Sequence, residues 1–258
     1  MKKHYIAMAL TASLVLGSSC ASHKYEVESV DRVRLLVDSR FDAQPDKEAL
    51  AFLAPYEKKV DSIMSPVVGN TAHYMARHHP ESELSNLLAD ILVWAAADYN
   101  EKPDFAVYNM GGIRAALPQG KITAGDINDM APFENKICFL TLSGETTRKL
   151  FEQLAHRGGE AVSHSVRMVI TNDGKLVSAT VNGEPIEANK TYRVATLDYL
   201  AEGNDQLTAF KQGTNVNAPK KKENNVRYVI MNYFRKQMEK GQAVSSKVEG
   251  RVTVADNK

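Results

Sequence analysis

The stretch of sequence that decides the fold is a short apolar run ending at a glycine pair: Phe105-Ala106-Val107-Tyr108-Asn109-Met110-Gly111-Gly112-Ile113-Arg114. The apolar run predicts a buried β-strand. Because glycine has no Cβ, Gly111 and Gly112 let the backbone approach a ligand closely, with Asn109 and Arg114 near the strand end. Asn offers a donor and an acceptor, and Arg offers a planar fork for phosphate or ribose oxygens. A purely structural glycine bend is the alternative for this motif alone.

Two further loops place aromatic or acidic side chains beside predicted strands. Phe133 lies in Ala131-Pro132-Phe133-Glu134-Asn135, just before a strand, and its ring can stack on a planar ligand. Tyr199 and Asp205 follow another strand in a glycine-containing turn, and a carboxylate commonly accepts hydrogen bonds from both hydroxyls of a ribose. Taken singly, Phe133 could instead cover the core and Asp205 could cap a turn.

Around these motifs the sequence alternates between helix and strand patterns without a fixed order. Apolar residues at three-to-four spacing predict helices over residues 46–65, 83–99 and 225–240, and Ser143 is expected to cap another helix. Strands are predicted over residues 136–142, 166–170, 176–181, 192–197 and 252–254, with a hairpin turn at Thr171-Asn172-Asp173-Gly174. The sequence therefore predicts an α/β domain of the α+β type, a layered sandwich with mixed sheets flanked by helices rather than a doubly wound parallel sheet.

The N-terminus has the pattern of an export signal. Basic residues at 2–4 precede an apolar run over residues 6–16, which is too short to cross a bilayer core of about 30 Å. Small residues at 17–19 lead to Cys20 and resemble a bacterial lipobox, although Gly17 stands where Leu is usual. We expect lipidation at Cys20, and a plain signal peptide with an incidental cysteine is the alternative.

This pattern predicts three regions: a lipoprotein signal peptide over residues 1–20, a tether over residues 21–45 and one domain over residues 46–258. The protein is then exported and lipid-anchored in the bacterial cell envelope, in the periplasm or at the outer membrane. With Cys20 acylated, only Cys138 remains, so no internal disulfide is expected.

The composition is that of an ordinary soluble globular protein, with 43% hydrophobic and 24% charged residues. A formal net charge of +1 gives no overall field that favours nucleic acid or a membrane surface. The one dense basic run, Lys220-Lys221-Lys222, is followed at once by Glu223 and is typical of a solvated loop. We therefore expect no nucleic-acid partner.

Taken together, the three loops resemble the C-terminal domain of the bacterial 5′-nucleotidase and UDP-sugar hydrolase family, which also includes animal ecto-5′-nucleotidase. The resemblance begins near Asp46 and covers most of the chain. It includes three ordered motifs: Glu81-Ser82-Glu83-Leu84-Ser85-Asn86-Leu87-Leu88-Ala89-Asp90, Gly120-Lys121-Ile122-Thr123 and Leu142-Ser143-Gly144.

The resemblance implies a role for each loop residue. Phe133 and Tyr199 would hold the nucleobase between them, and Asn109 would contact it. Arg114 would face the ribose or the phosphate, and Asp205 would accept hydrogen bonds from the ribose hydroxyls. Gly111 and Gly112 would complete the substrate-binding set.

This sequence departs from the family pattern in three places. Tyr199 stands where Phe is usual, which keeps a stacking face. Gly203-Asn204-Asp205-Gln206 replaces a glycine–glycine–aspartate–glycine turn, and because Gln disfavours left-handed backbone, we expect the turn to be reshaped. Pro80 stands where the animal enzyme has a substrate-binding Arg, and Arg77 is near in sequence but not equivalent.

In the resembled family, hydrolysis belongs to an N-terminal metallophosphoesterase domain with two metal ions. The present sequence has no Asp-x-His pair and no Asn-His-Glu or Asn-His-Asp motif. Its one histidine cluster, His78-His79, is a poor metal site because adjacent side chains point apart. Leader and tether occupy the residues before Asp46. We therefore expect no catalytic residue, metal or cofactor in this chain, and a divalent metal only in a partner metallophosphoesterase.

The sequence thus predicts the nucleotide- or nucleoside-recognition subunit of a split 5′-nucleotidase, acting in nucleotide catabolism and not catalytic alone. Its expected partners are the nucleotide or nucleoside, a separate metallophosphoesterase and, through the lipid anchor only, a membrane. Two alternatives stay open: a solitary exported nucleotide-binding protein, and a degenerate scaffold for protein–protein contact.

Overall fold

The structure is a computed structural model that describes residues 25–43 and 45–255. The chain divides into two compact units, Met1–Ala51 and Phe52–Lys258. In the first unit, residues 25–37 are exposed and form neither helix nor strand, and a 3-10 turn follows at Ser39–Phe41. The predicted leader and the lipidation of Cys20 lie outside the described residues. Across the described ranges, no helix has the length and apolar character that a membrane span requires.

Six α-helices and eleven β-strands are described. The helices are α1 (Lys47–Met64), α2 (Glu83–Ala95), α3 (Ala124–Met130), α4 (Gly144–His156), α5 (Asp198–Ala201) and α6 (Val226–Glu239). The strands are β1 (Val67–Thr71), β2 (Phe105–Tyr108), β3 (Gly120–Thr123), β4 (Ile137–Ser143), β5 (Ala161–Val162), β6 (Val166–Ile170), β7 (Leu176–Val181), β8 (Glu184–Pro185), β9 (Thr191–Leu197), β10 (Thr214–Asn217) and β11 (Val252–Val254).

A five-stranded mixed sheet, in the order β10-β4-β9-β2-β5, lies at the centre of the second unit. Strand β9 pairs antiparallel with β4 and parallel with β2, whose four residues are all buried. In this register Ile137 lies opposite Leu197, so the start of β4 meets the end of β9. Because β2 runs parallel to β9, the end of β2 lies at the same edge of the sheet.

Two smaller sheets accompany the central one, with orders β11-β6-β7-β8 and β1-β3. The predicted hairpin is confirmed: β6 and β7 pair antiparallel, and Gly174 in the connecting turn has a φ of +77°. Strand β11 adds to the sheet edge parallel to β6. Helix α2 packs on β2 and β5, while α6 packs on β1. The predicted class of layered, mixed α/β fold is therefore confirmed.

Most of the predicted elements are found with small changes at their ends. Ser143 caps α4 by accepting a hydrogen bond from the Thr146 amide, and Asn225 caps α6 in the same way through Arg227. The helix predicted over residues 83–99 ends earlier, and its last turn tightens into a 3-10 turn at Ala96–Tyr99. The elements that were not predicted are strands β1, β3, β5, β8 and β10 and helices α3 and α5, because elements this short carry little periodicity.

Helix α1 was predicted from its amphipathic pattern and forms, but none of its residues is buried. Phe52, Tyr56 and Ile63 on its apolar side are 67%, 58% and 56% exposed. The periodicity therefore identified the helix correctly but did not show whether its apolar side would be covered.

Gly144, the first residue of α4, approaches the turn before β9 so closely that a side chain has no room. An added Cβ would collide with the carbonyl of Glu187 and would lie 2.9 Å from the Ala188 Cα. We expect Gly144→Ala to lower the free energy of unfolding by about 3 kcal/mol or more, because the obstacle is backbone. Urea unfolding measures this change, with exposed Glu145→Ala as the control. Equal stabilities for the two variants would contradict the predicted collision.

Candidate functional site

A cavity of about 350 Å³ opens at the sheet edge where β2 and β9 end and β4 begins. Its volume is near the lower end of the range for small-molecule pockets, roughly 300–1,000 Å³. The cavity is lined by Asn109, Gly111, Arg114, Phe133, Asn135, Arg157, Tyr199 and Asp205. The three loops chosen from the sequence therefore meet in space, and the pairing of β9 with both neighbours accounts for their meeting.

The Asp205 carboxylate is the centre of the hydrogen bonding in this cavity. Its Oδ1 accepts a hydrogen bond from the Tyr199 hydroxyl at 2.9 Å, and its Oδ2 accepts one from the Asn109 Nδ2 at 2.8 Å. An ionised carboxylate offers about four lone pairs, so two acceptor positions stay open. The hydrogen bond to Asp205 raises the pKa of Tyr199, which keeps that hydroxyl a donor. The arrangement can thus accept two further donors, such as a diol.

Gly112 does not line the cavity, but its lack of a side chain leaves the space that the Asn109 amide occupies. A Cβ at Gly112 would lie 2.7 Å from the Asn109 Oδ1. This oxygen is buried and, within the described part of the chain, makes no hydrogen bond. Gly111 differs, because a Cβ there would meet nothing within 4 Å. Both glycines were predicted as binding residues. Gly111 lines the cavity, whereas Gly112 contacts Asn109 and does not line it.

Arg114 and Phe133 form the more open side of the cavity. The Arg114 guanidinium carbon lies 6.0 Å from the centre of the Phe133 ring, and one terminal nitrogen donates to the Gly111 carbonyl at 3.3 Å. Phe133 is 47% exposed. A ring with one free face beside a cation offers a surface on which a planar ligand can stack.

A buried ion pair supports the glycine loop from behind. Glu160 has no exposed side-chain surface and accepts hydrogen bonds from the Met110 amide and from the Arg157 Nε, each at 2.5 Å. The carbonyl of Met110 accepts a hydrogen bond from Arg77 at 3.2 Å. Burial raises the pKa of Glu160, and the Met110 amide and Arg157 oppose that rise. Met110 is therefore held on both sides of its backbone.

The turn that carries Asp205 includes two non-glycine residues in left-handed backbone, a conformation that is uncommon for residues with a Cβ. Gly203, Asp205 and Gln206 have φ values of +79°, +53° and +64°. Gln206 thus adopts the left-handed backbone that its residue type disfavours, and the reshaping of the turn relative to the family stays a prediction. Such strain typically costs about 1–3 kcal/mol per residue and is common where a loop positions a functional group.

Sequence reasoning missed two of the lining residues, Asn135 and Arg157. Asn135 lay within a quoted motif but was not chosen, and Arg157 follows α4 with no motif around it. Arg157 reaches the cavity because its neighbour Glu160 holds it there. Within residues 25–43 and 45–255, no three His, Cys, Asp or Glu side chains are grouped so as to hold a metal ion.

Comparison with known proteins places this chain in a family. The family described as "5′-nucleotidase, C-terminal domain" matches residues 67–212, which is more than half of the chain. The chain therefore belongs to this family. A solved structure, the 5′-nucleotidase precursor from Thermus thermophilus, is similar with a TM-score of 0.70 and 25% identity, covering 84% of this chain and 45% of that chain.

Two curated relatives are similar over most of the chain. Protein UshA of Yersinia enterocolitica is 28% identical over 187 residues, which are 70% of this chain and 34% of that protein. The trifunctional nucleotide phosphoesterase protein YfkN of Bacillus subtilis is 28% identical over 238 residues, 84% of this chain and 16% of that protein. The chain thus spans about a third or less of the length of these relatives. The predicted family resemblance is confirmed, and the lipid anchor stays a prediction.

Replacing the two adjacent glycines tests how Asn109 is held. In Gly112→Ala the new methyl group displaces the Asn109 amide and breaks its hydrogen bond to Asp205, so we expect a loss of about 1–3 kcal/mol in the free energy of unfolding. Gly111→Ala is the matched control and should change stability little. Denaturant unfolding of both variants is the measurement. A loss in Gly111→Ala as large as that in Gly112→Ala would contradict this interpretation.

The left-handed conformation of Gln206 makes a second stability prediction. Glycine adopts this conformation without the Cβ penalty, but it also gives the unfolded chain more conformational entropy. The net effect of Gln206→Gly should be a rise of about 0.5–1 kcal/mol in the free energy of unfolding. The exposed Gln242, whose φ is not positive, is the control, and Gln242→Gly should destabilise the protein. Destabilisation by Gln206→Gly would show that the turn is not strained.

Proposed function

We propose that this protein is the nucleotide-recognition subunit of a split 5′-nucleotidase and works with a separate metallophosphoesterase. The observation that carries the proposal is the meeting of Asn109, Arg114, Phe133, Tyr199 and Asp205 around one cavity. These side chains come from separate loops, and their chemistry matches the parts of a nucleotide. Membership of the 5′-nucleotidase C-terminal family and the names of the similar proteins support the same substrate class.

Each part of the ligand has a matching group in the cavity. The base lies between the rings of Phe133 and Tyr199, and stacking of this kind is worth roughly 1–3 kcal/mol per base. The free lone pairs of Asp205 accept hydrogen bonds from the ribose hydroxyls, because charge-assisted hydrogen bonds to a carboxylate are strong. Arg114 lies at the open side, where its guanidinium can pair with a phosphate.

The partner in this proposal supplies the hydrolytic centre. Two-metal sites activate a water molecule and stabilise the leaving oxygen of a phosphoryl group, and we place such a centre in a separate metallophosphoesterase. The chain described here binds and orients the nucleotide. If both proteins are anchored to one membrane, as the sequence predicts for this one at Cys20, the local concentration of each is raised for the other.

Titration calorimetry with nucleoside 5′-monophosphates and nucleosides tests recognition directly. We expect the full protein to bind at least one of them, and we expect Phe133→Ala and Tyr199→Ala each to weaken that binding by about 1–3 kcal/mol through lost stacking. Tyr74→Ala removes an exposed ring outside the cavity and should leave the affinity unchanged. Absence of heat with every ligand would instead favour a degenerate scaffold for protein–protein contact.

Reconstitution tests the split enzyme. An exported metallophosphoesterase encoded beside this protein should release phosphate from a nucleoside monophosphate faster when this protein is added. The Phe133→Ala variant should give a smaller gain at subsaturating nucleotide, because the substrate is bound less tightly. Binding without any gain in phosphate release over the partner alone would contradict the split enzyme and favour a solitary nucleotide-binding protein.

A further inference from the structure

A second guanidinium, that of Arg157, lines the cavity together with Arg114, and the proposed set of ligand contacts does not use it. Its NH2 nitrogen lies 3.9 Å from the Asp205 Oδ2. Within the described part of the chain, the terminal nitrogens of Arg157 make no hydrogen bond, since its one bonded nitrogen is the Nε that donates to Glu160. The side chain is 23% exposed. Arg157 therefore presents free donors next to the carboxylate assigned to the ribose.

We infer that Arg157 and Asp205 bind the same ribose hydroxyl, so that Arg157 makes the site selective for a nucleotide with an intact ribose diol. A hydroxyl donates one hydrogen bond and accepts others. Two atoms 3.9 Å apart can both lie about 2.8 Å from one oxygen between them, which is ordinary hydrogen-bond geometry. The hydroxyl then donates to Asp205 and accepts from Arg157. This inference rests on the proposed nucleotide-binding function.

Glu160 is the positioning residue for Arg157. Its buried carboxylate binds the Arg157 Nε, which fixes the plane of the guanidinium and directs the terminal nitrogens towards Asp205. The same carboxylate binds the Met110 amide and so ties Arg157 to the glycine loop that carries Asn109. An Arg held through its Nε keeps both terminal nitrogens available for a ligand, which a Lys in its place does not provide.

The charge arrangement favours a neutral hydroxyl over an anion at this position. Arg157 lies between two carboxylates, Glu160 at 2.5 Å and Asp205 at 3.9 Å, so its charge is already opposed. A phosphate placed there would lie against Asp205 and be repelled. A hydroxyl carries no charge and satisfies both the donor and the acceptor. The ligand group that fits between Arg157 and Asp205 is therefore a sugar hydroxyl.

The experiment compares each ribonucleoside 5′-monophosphate with its 2′,3′-dideoxy counterpart by titration calorimetry on the full protein. Wild-type protein should bind the ribonucleotide more tightly. Arg157→Gln should weaken ribonucleotide binding roughly 10- to 100-fold, the usual effect of losing a hydrogen bond from a charged donor, and should leave the dideoxynucleotide affinity within about twofold. Arg148→Gln, an exposed Arg in α4, is the matched control and should change neither affinity.

The positioning role of Glu160 is tested by the same selectivity ratio. Glu160→Gln should lower the ratio of ribonucleotide to dideoxynucleotide affinity as Arg157→Gln does, and the double variant should lower it no further, because the two residues act as a unit. Urea unfolding shows whether each variant is folded. If Glu160→Gln does not fold, the Arg157→Gln ratio alone decides the inference.

The possible outcomes separate this inference from the proposed function. If the wild type binds none of the nucleotides, the proposed function fails and the inference fails with it. If the wild type binds them and Arg157→Gln weakens ribonucleotide and dideoxynucleotide equally, Arg157 does not read the ribose and the function stands. If Arg157→Gln weakens neither, the residue is an internal ion-pair partner only. Selective loss of ribonucleotide affinity supports the inference.

Discussion

The pairing of β9 with both of its neighbours is the constraint on which the site depends. Strand β9 runs antiparallel to β4 and parallel to β2, so the start of one neighbour and the end of the other meet at one sheet edge. Loops far apart in the sequence then supply the aromatic rings, the amide and the carboxylate that line one cavity. A slip of one residue would turn the side chains of β9 to the opposite face. The buried residues of β2 and β9 make such a slip costly.

Close backbone contacts hold the elements of this edge in place. Gly144 at the start of α4 lies against the turn before β9, and Gly112 lies against the amide of Asn109. Neither position has room for a Cβ, and packing this tight leaves few alternative arrangements. Met110, between Arg77 and Glu160, fixes the loop after β2 from both sides of its backbone. The cavity is thus built on a preorganised backbone, a condition that lowers the entropic cost of binding.

Electrostatics then give the cavity its polarity. Asp205 is bonded to Tyr199 and Asn109 and faces Arg157, while the buried Glu160 balances the charge of Arg157 from behind. A buried carboxylate such as that of Glu160 is costly unless paired, and Arg157 is its partner. The hydrogen bonds of this network hold Asp205 although its backbone, like that of Gln206, is left-handed and strained.

The sequence by itself determined the local features of this protein. These features are set by interactions within a few residues of each other. They are the apolar run of β2, the hairpin turn at Gly174, the caps at Ser143 and Asn225 and the polar residues beside the strand ends. Ordered motifs added the family and, through it, the candidate site.

Only the tertiary structure decided how those local features combine. Arg157 enters the cavity because Glu160 is buried there, and no pattern in the sequence around Arg157 indicates this. Gln206 adopts a left-handed backbone because the surrounding contacts outweigh its own preference. Helix α1 leaves its apolar side exposed, although the pattern alone suited a buried helix. Long-range pairing, burial and close approach depend on residues distant in the chain. Local propensity and periodicity do not specify them.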